Sequence, residues 1–225
     1  MPLIKSDGGV LPDRLDAYSV RPDGPGPFPG LVLIHEIVGL NANIRAIADR
    51  FAGEGYVVLA VDLFTRRNGL PLCILRYICN QRFRPFDNAD INDLRMALTH
   101  LEQQPGVDKS RLGAVGFCMG GGYAIAWACT DNRLRAIAPF YGINPHPVKA
   151  VRDACPVVAS YPKRDRVQHT EKAGHLLEAA LESFGIPHDV VFYPGTNHSF
   201  WNLHPNTDVQ EHSWERMIRF FNEHL

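Results

Sequence analysis

The stretch Val115-Gly116-Phe117-Cys118-Met119-Gly120-Gly121 sets one nucleophilic atom among small residues. An apolar run, 112–117, leads into it, and a helix-like run, 120–129, leads out. A thiol at the tip of a strand-to-helix turn has backbone close on both sides, so side chains at Gly116 and Gly120 would collide with it. The first-turn N–H groups of the following helix, and its positive dipole end, favour a thiolate. The alternative is that Cys118 is a small buried hydrophobe, the usual fate of a free cysteine. A nucleophilic thiol also needs a base, and the base needs a partner that fixes its tautomer. Asp165 follows the strand-like run 156–160 through Tyr161-Pro162-Lys163-Arg164. His198 follows the run 188–193 through Pro194-Gly195-Thr196-Asn197. Taken singly, Asp165 could be a turn former or helix cap, and His198 is one of 10 histidines. Asp153 precedes its strand and Asp189 begins one, which puts both at the wrong end of a sheet for the acid's role.

The elements that must position these residues alternate. Continuous apolar runs at 31–35, 56–61, 112–117, 135–140, 156–160 and 188–193 read as strands, the longer ones buried on both faces. Helical spacing marks 41–52, stopped by Gly53 and Gly55, together with 88–104, 168–184 and 207–224. Repeated strand–helix units predict an α/β fold with a mostly parallel central sheet and helices on both faces. Ligands in such sheets bind beyond the C-terminal strand ends, where His35-Glu36, Cys118, Asp165 and His198 all fall. The segment 66–86 fits this pattern least. It mixes Leu70, Leu72, Ile74, Leu75, Tyr77 and Ile78 with Arg66, Arg67, Arg76, Arg82 and Arg84, and is read either as a lid or binding loop or as a surface helical excursion.

A chain of 225 residues suits one α/β domain, here 1–225. Its 45% hydrophobic and 21% charged residues are ordinary for a globular protein, and a net charge of -1 offers no general attraction to nucleic acid or anionic lipid. The 5 cysteines, Cys73, Cys79, Cys118, Cys129 and Cys155, lack paired spacing and suit reduced thiols in the cytoplasm. No run is apolar enough to predict a membrane span, and the first ten residues do not read as a signal peptide. His146, His169, His175 and His188 lack metal-ligand spacing, and the glycines at 116–122 lack a phosphate-loop lysine, so neither metal nor cofactor is implied. A small-molecule substrate, no nucleic-acid or membrane partner, and a monomer or small homo-oligomer are expected.

The elbow Gly116-Phe117-Cys118-Met119-Gly120 resembles the nucleophile elbow of α/β-hydrolases with sulfur for oxygen, and the order Cys118, Asp165, His198 is theirs. The wider chain resembles the dienelactone hydrolases. The match runs through His35-Glu36-Ile37-Val38-Gly39-Leu40-Asn41, then Gly55-Tyr56-Val57-Val58-Leu59-Ala60-Val61-Asp62-Leu63-Phe64. It continues with the elbow, Asp165, and Pro194-Gly195-Thr196-Asn197-His198-Ser199-Phe200. The resemblance implies an α/β-hydrolase fold, a Cys118-His198-Asp165 triad, and hydrolysis of a carboxylic ester or lactone. It also implies that Glu36 holds the resting thiol and shifts when an anionic substrate binds. The residues alone leave Glu36 as a substrate-orienting group or an ion-pair partner. Backbone N–H groups of Ile37 and Met119 are the expected oxyanion donors.

The resemblance further implies two arginines for a substrate carboxylate. One would be Arg76, Arg82 or Arg84. The other has no counterpart, since Ser199-Phe200-Trp201-Asn202-Leu203 contains none and the next is Arg216. Losing a bidentate clamp is a large change, and Trp201 with Asn202 suggests a neutral ester or thioester, although Trp201 could instead pack the loop. A reading of another class keeps the fold without catalysis, with Cys118 as a peroxide-responsive thiol.

Overall fold

A computed structural model describes residues 2–11, 15–65, 70–165 and 168–225, without the side chains of 7–11 and 70–72. Among these residues eight strands form one sheet: β1 (Leu3–Leu11), β2 (Leu15–Pro22), β3 (Phe28–Ile34), β4 (Val57–Val61), β5 (Val107–Phe117), β6 (Leu134–Phe140), β7 (Val157–Pro162) and β8 (His188–Tyr193). The spatial order is β1-β2-β4-β3-β5-β6-β7-β8. Strands β3 to β8 pair in parallel, while β1 and β2 are antiparallel to each other and β2 is antiparallel to β4.

Among the described residues six α-helices accompany the sheet: α1 (Ala42–Gly53), α2 (Leu70–Phe83), α3 (Ala89–Glu102), α4 (Met119–Ala128), α5 (Thr170–Ser183) and α6 (Thr207–His224). Each central strand splits its residues between two cores, as the period of two in a strand requires. Val32 and Ile34 join the core under α3, α4 and α5, whereas Leu31 and Leu33 join the core under α1 and α6. Helix starts are capped where the sequence supplies a short amide. The Asn41 side chain accepts from the Ile44 N–H, and that of Asn88 accepts from Asp90 and Ile91.

The parallel strands and four of the long helices lie within a few residues of their expected positions. Three differences matter. The β1–β2 hairpin was not expected from the sequence. Strand β5 begins at Val107, well before its apolar half, because only residues from Leu112 onward are buried. The segment 66–86 becomes a helix from Leu70, with 66–69 outside the described residues. Cys73, Tyr77 and Gln81 face inward from it, while Leu75, Ile78 and Phe83 are exposed.

The elbow depends on close backbone approach. A Cβ at Gly116 would lie 2.1 Å from the Gly120 carbonyl oxygen, and one at Gly120 would lie 2.4 Å from that of Ile34. Gly116→Ala is therefore expected to destabilise the fold by at least about 3 kcal/mol. Gly53→Ala, at an exposed helix position where a Cβ meets nothing within 4 Å, should be neutral or stabilising by up to about 1 kcal/mol. Urea denaturation of the two variants checks the contrast.

Candidate active site

Cys118 stands between β5 and α4 with φ 52° and ψ -112°. Its N–H donates to the Phe140 carbonyl at 2.9 Å, and its carbonyl accepts from the Gly122 N–H at 3.1 Å. The four non-glycine residues with positive φ among those described are Cys118, Tyr141, His169 and Ser199. Cys118 and Tyr141 directly follow β5 and β6, and His169 and Ser199 lie in the segments after β7 and β8; strained backbone of this kind tends to gather at functional sites.

The thiol meets a connected chain of polar groups. His198 Nε2 lies 3.0 Å from Cys118 Sγ, and His198 Nδ1 lies 2.8 Å from Asp165 Oδ2. Asp165 accepts further bonds from the Gln168 N–H at 2.9 Å and from the Thr170 N–H and hydroxyl. All three residues of the chain are buried. Burial raises the Asp165 pKa, but the bonds from His198, Thr170 and Gln168 outweigh it and hold the carboxyl far below its ordinary range. Burial likewise opposes charge on His198, yet Asp165 and Cys118 raise its pKa from 6.5 to about 10. The arrangement is a histidine that holds its proton between the Asp165 carboxylate and the Cys118 sulfur, and a histidine so placed can serve a thiol nucleophile as base and acid. Burial raises the thiols of Cys129 and Cys155 to about 12, which keeps those sulfurs protonated.

Glu36 is buried beside this chain, but its carboxylate does not hold the thiol. Oε1 accepts from the Tyr141 hydroxyl at 2.7 Å, and Oε2 accepts from the Ser199 hydroxyl at 2.6 Å and the Asn202 amide at 3.3 Å. Three neutral donors satisfy the carboxylate, leaving the thiol to His198 and to the Gln168 amide, whose Nε2 is 3.5 Å from Sγ. Ile37 follows Glu36 in the segment after β3, and Met119 opens α4, where a first-turn N–H lacks an intrahelical partner. His35 pins that first segment. The Leu63 N–H donates to its Nε2 at 3.0 Å, so Nδ1 carries the proton and donates to the Glu36 carbonyl at 2.6 Å.

The arginine candidates lie elsewhere. Arg76 makes a bidentate pair with buried Asp90, at 3.1 and 2.9 Å, which Tyr123 and Asn80 also bond. Arg82 is exposed and lies over the Phe83 ring, and Arg84 is exposed. None of the three bonds to Cys118, His198 or Asp165 among the described residues. Trp201 is buried against Phe117, Phe140 and Trp214, with its N–H on Ser213, so it packs the loop. Arg216 clamps β7 and β8 through the Ala159 and Asp189 carbonyls. Tyr141, Gln168, Thr170 and Ser199 were missed by sequence reasoning, although each sits just beyond a strand end or beside a suspected residue, while Asn202, read from the sequence as a sign of a neutral substrate, bonds Glu36.

The dienelactone hydrolase family matches residues 15–225. The chain belongs to that family. A relative from Yersinia pestis with the provisional name carboxymethylenebutenolidase is 26% identical over 94% of this chain and 85% of its own. A Klebsiella pneumoniae structure provisionally named a dienelactone hydrolase superposes with a TM-score of 0.84 at 23% identity, over 99% of both chains. A dienelactone hydrolase-like promiscuous phosphotriesterase from metagenomic libraries gives 0.80 at 25% identity, over 99% of this chain and 98% of its own. This dienelactone hydrolase family member is thus a hydrolase of α/β-hydrolase fold. Among its described residues, no helix is long and apolar enough to cross a membrane, and no three His, Cys, Asp or Glu gather to hold a metal.

The His198 shift has a definite sign. A histidine whose pKa rises on folding holds its proton more tightly when folded, so its stabilisation is complete below 6.5 and is lost as pH climbs through about 10. The difference in melting temperature between wild type and His198→Gln should therefore shrink as pH is raised across that window. Thermal scans at several pH values check it, and a constant or widening difference would contradict the ion pair.

Proposed function

We propose that the chain hydrolyses a carboxylic ester or lactone by covalent thiol catalysis, with Cys118 as nucleophile, His198 as base and acid, and Asp165 as the group that orients His198. The observation that carries this reading is the unbroken hydrogen-bonded chain from Cys118 Sγ through His198 to Asp165. The thiolate attacks the acyl carbon, and the backbone N–H groups of Met119 and Ile37 stabilise the oxyanion. Collapse breaks the ester bond, and the leaving oxygen takes the His198 proton. A water then gives a proton to His198 and attacks the thioester, releasing the acid and restoring the thiolate. Glu36 acts from beside the thiol. Its negative charge disfavours a bare thiolate, and the three neutral donors that hold it limit that effect.

The names of the relatives point to carboxylate-bearing lactones for those proteins. A neutral ester or thioester is the favoured substrate class here, because Arg76 is paired with Asp90 and, among the described residues, hydroxyl and amide groups rather than a cation surround the Glu36 carboxylate.

With 4-nitrophenyl acetate, wild type should show sustained release of nitrophenol. Cys118→Ala should lose at least about a thousandfold in kcat/KM while keeping its melting temperature. Full activity in Cys118→Ala would remove the mechanism. Release of a single equivalent per thiol by wild type would favour a thiol sensor.

A further inference from the structure

One residue touches both ends of the chain from Cys118 to Asp165. The Gln168 N–H donates to Asp165 Oδ1 at 2.9 Å, and its side-chain Nε2 lies 3.5 Å from Cys118 Sγ. His198 Nε2 lies 3.0 Å from the same sulfur, and His198 Nδ1 lies 2.8 Å from Asp165 Oδ2, so four residues close a ring of hydrogen bonds.

The backbone holds Gln168 in that place. It lies in the segment between β7 and α5, and His169 after it is left-handed, with φ 51° and ψ 38°. That turn wraps the chain around the Asp165 carboxylate, and the N–H groups of Gln168 and Thr170 reach its two oxygens. None of this anchoring uses the Gln168 side chain, which reaches across to the sulfur.

His198 holds its proton beside the sulfur, and the amide adds a second partner without adding charge. A neutral thiol sulfur is a weak acceptor, whereas an ionised one accepts charge-assisted bonds, so a donor at this place favours the ionised form. Glu36 works in the other direction, and its carboxylate is taken up by Tyr141, Ser199 and Asn202. The two donors also differ in what turnover does to them. A general acid gives its proton to the leaving group and must be reprotonated, whereas an amide N–H is never given away.

We infer that the Gln168 carboxamide is a catalytic group at the sulfur, donating to Cys118 Sγ and favouring the ionised nucleophile, an inference that rests on Cys118 being the nucleophile. When the sulfur attacks, its electron pair forms the C–S bond and the amide's hold on it weakens. When water cleaves the acyl-enzyme, the C–S bond breaks, the pair returns to sulfur, and the Gln168 N–H meets it again.

Two substitutions test it. Gln168→Met removes the donor at similar volume and keeps the backbone bond to Asp165, and Gln168→Glu puts a carboxylate in its place. Iodoacetamide alkylation of Cys118, followed by mass spectrometry on the peptide that carries it, reports the ionised sulfur from about pH 4 to about pH 10. The titratable groups around the sulfur are His198 after β8, Asp165 after β7, Glu36 after β3, Tyr141 after β6 and Tyr77 on α2. Burial raises both tyrosines well above their ordinary range, so they stay neutral through the scan, and neither substitution replaces any of the five. The pH of half-maximal alkylation should rise in Gln168→Met, slowing the reaction about tenfold on the acid side of the profile, and should rise further in Gln168→Glu. Gln168→Met should melt with wild type. A half-maximal pH in Gln168→Met that stays put overturns the assignment, and so does one that falls, since the amide would then be accepting from a protonated thiol. Hydrolysis of 4-nitrophenyl acetate by Cys118→Ala separates the two failures. Full activity there removes the thiol mechanism and the catalytic role of Gln168 together, whereas an unmoved alkylation profile with an inactive Cys118→Ala removes the role of Gln168 alone.

Discussion

Cys118 holds a backbone conformation, φ 52° and ψ -112°, that a residue with a side chain adopts only when its surroundings enforce it. The enforcement is packing. Gly116 lets the β5 backbone touch Gly120, and Gly120 lets α4 touch the end of β3. The same contacts bring the Met119 end of α4 against the segment that carries Glu36 and Ile37. Raising the sulfur out of the sheet and docking the start of α4 on the end of β3 are thus one steric event. The strain at Tyr141 and Ser199 belongs with it, since their hydroxyls close around the Glu36 carboxylate.

Electrostatics then divides the buried charges. Asp165 is a carboxylate with four donors from His198, Gln168 and Thr170, so it remains ionised and holds His198 in one orientation. Glu36 is held by neutral hydroxyl and amide groups alone among the described residues, and Asp90 by an arginine, a tyrosine and an asparagine. Arg76 therefore stabilises the support beneath α4 and adds no positive charge beside the thiol.

Much of this was legible in the sequence. Strands buried on both faces show as continuous apolar runs, which is why β3, β4 and β7 and the end of β5 stood out, and β3, β5 and β7 each led to a suspected residue. The β1–β2 hairpin did not stand out, because its edge position mixes Lys5, Ser6 and Ser19 with the apolar residues. Cys118, Asp165 and His198 could be found because their types and chain order are distinctive. Gln168, Tyr141 and Ser199 are ordinary residue types whose roles arise only from where strand ends meet. Arg76 misled for the same reason. Its charge is visible in the sequence, but the buried Asp90 that claims it is 14 positions away, in the first turn of another helix. Trp201 could have been pocket or packing, and the aromatic contacts with Phe117, Phe140 and Trp214 decide for packing.

The central claim is a covalent bond between Cys118 and an acyl group, made possible by the ion pair with His198. Acid-quenched reaction mixtures with a slowly hydrolysed ester, digested and weighed by mass spectrometry, test it most directly. The account predicts the mass of one acyl group on the peptide carrying Cys118, present during turnover and gone once substrate is exhausted. Acyl groups found on Cys73 or Cys79 instead, or sustained turnover with the Cys118 peptide never modified, would contradict it.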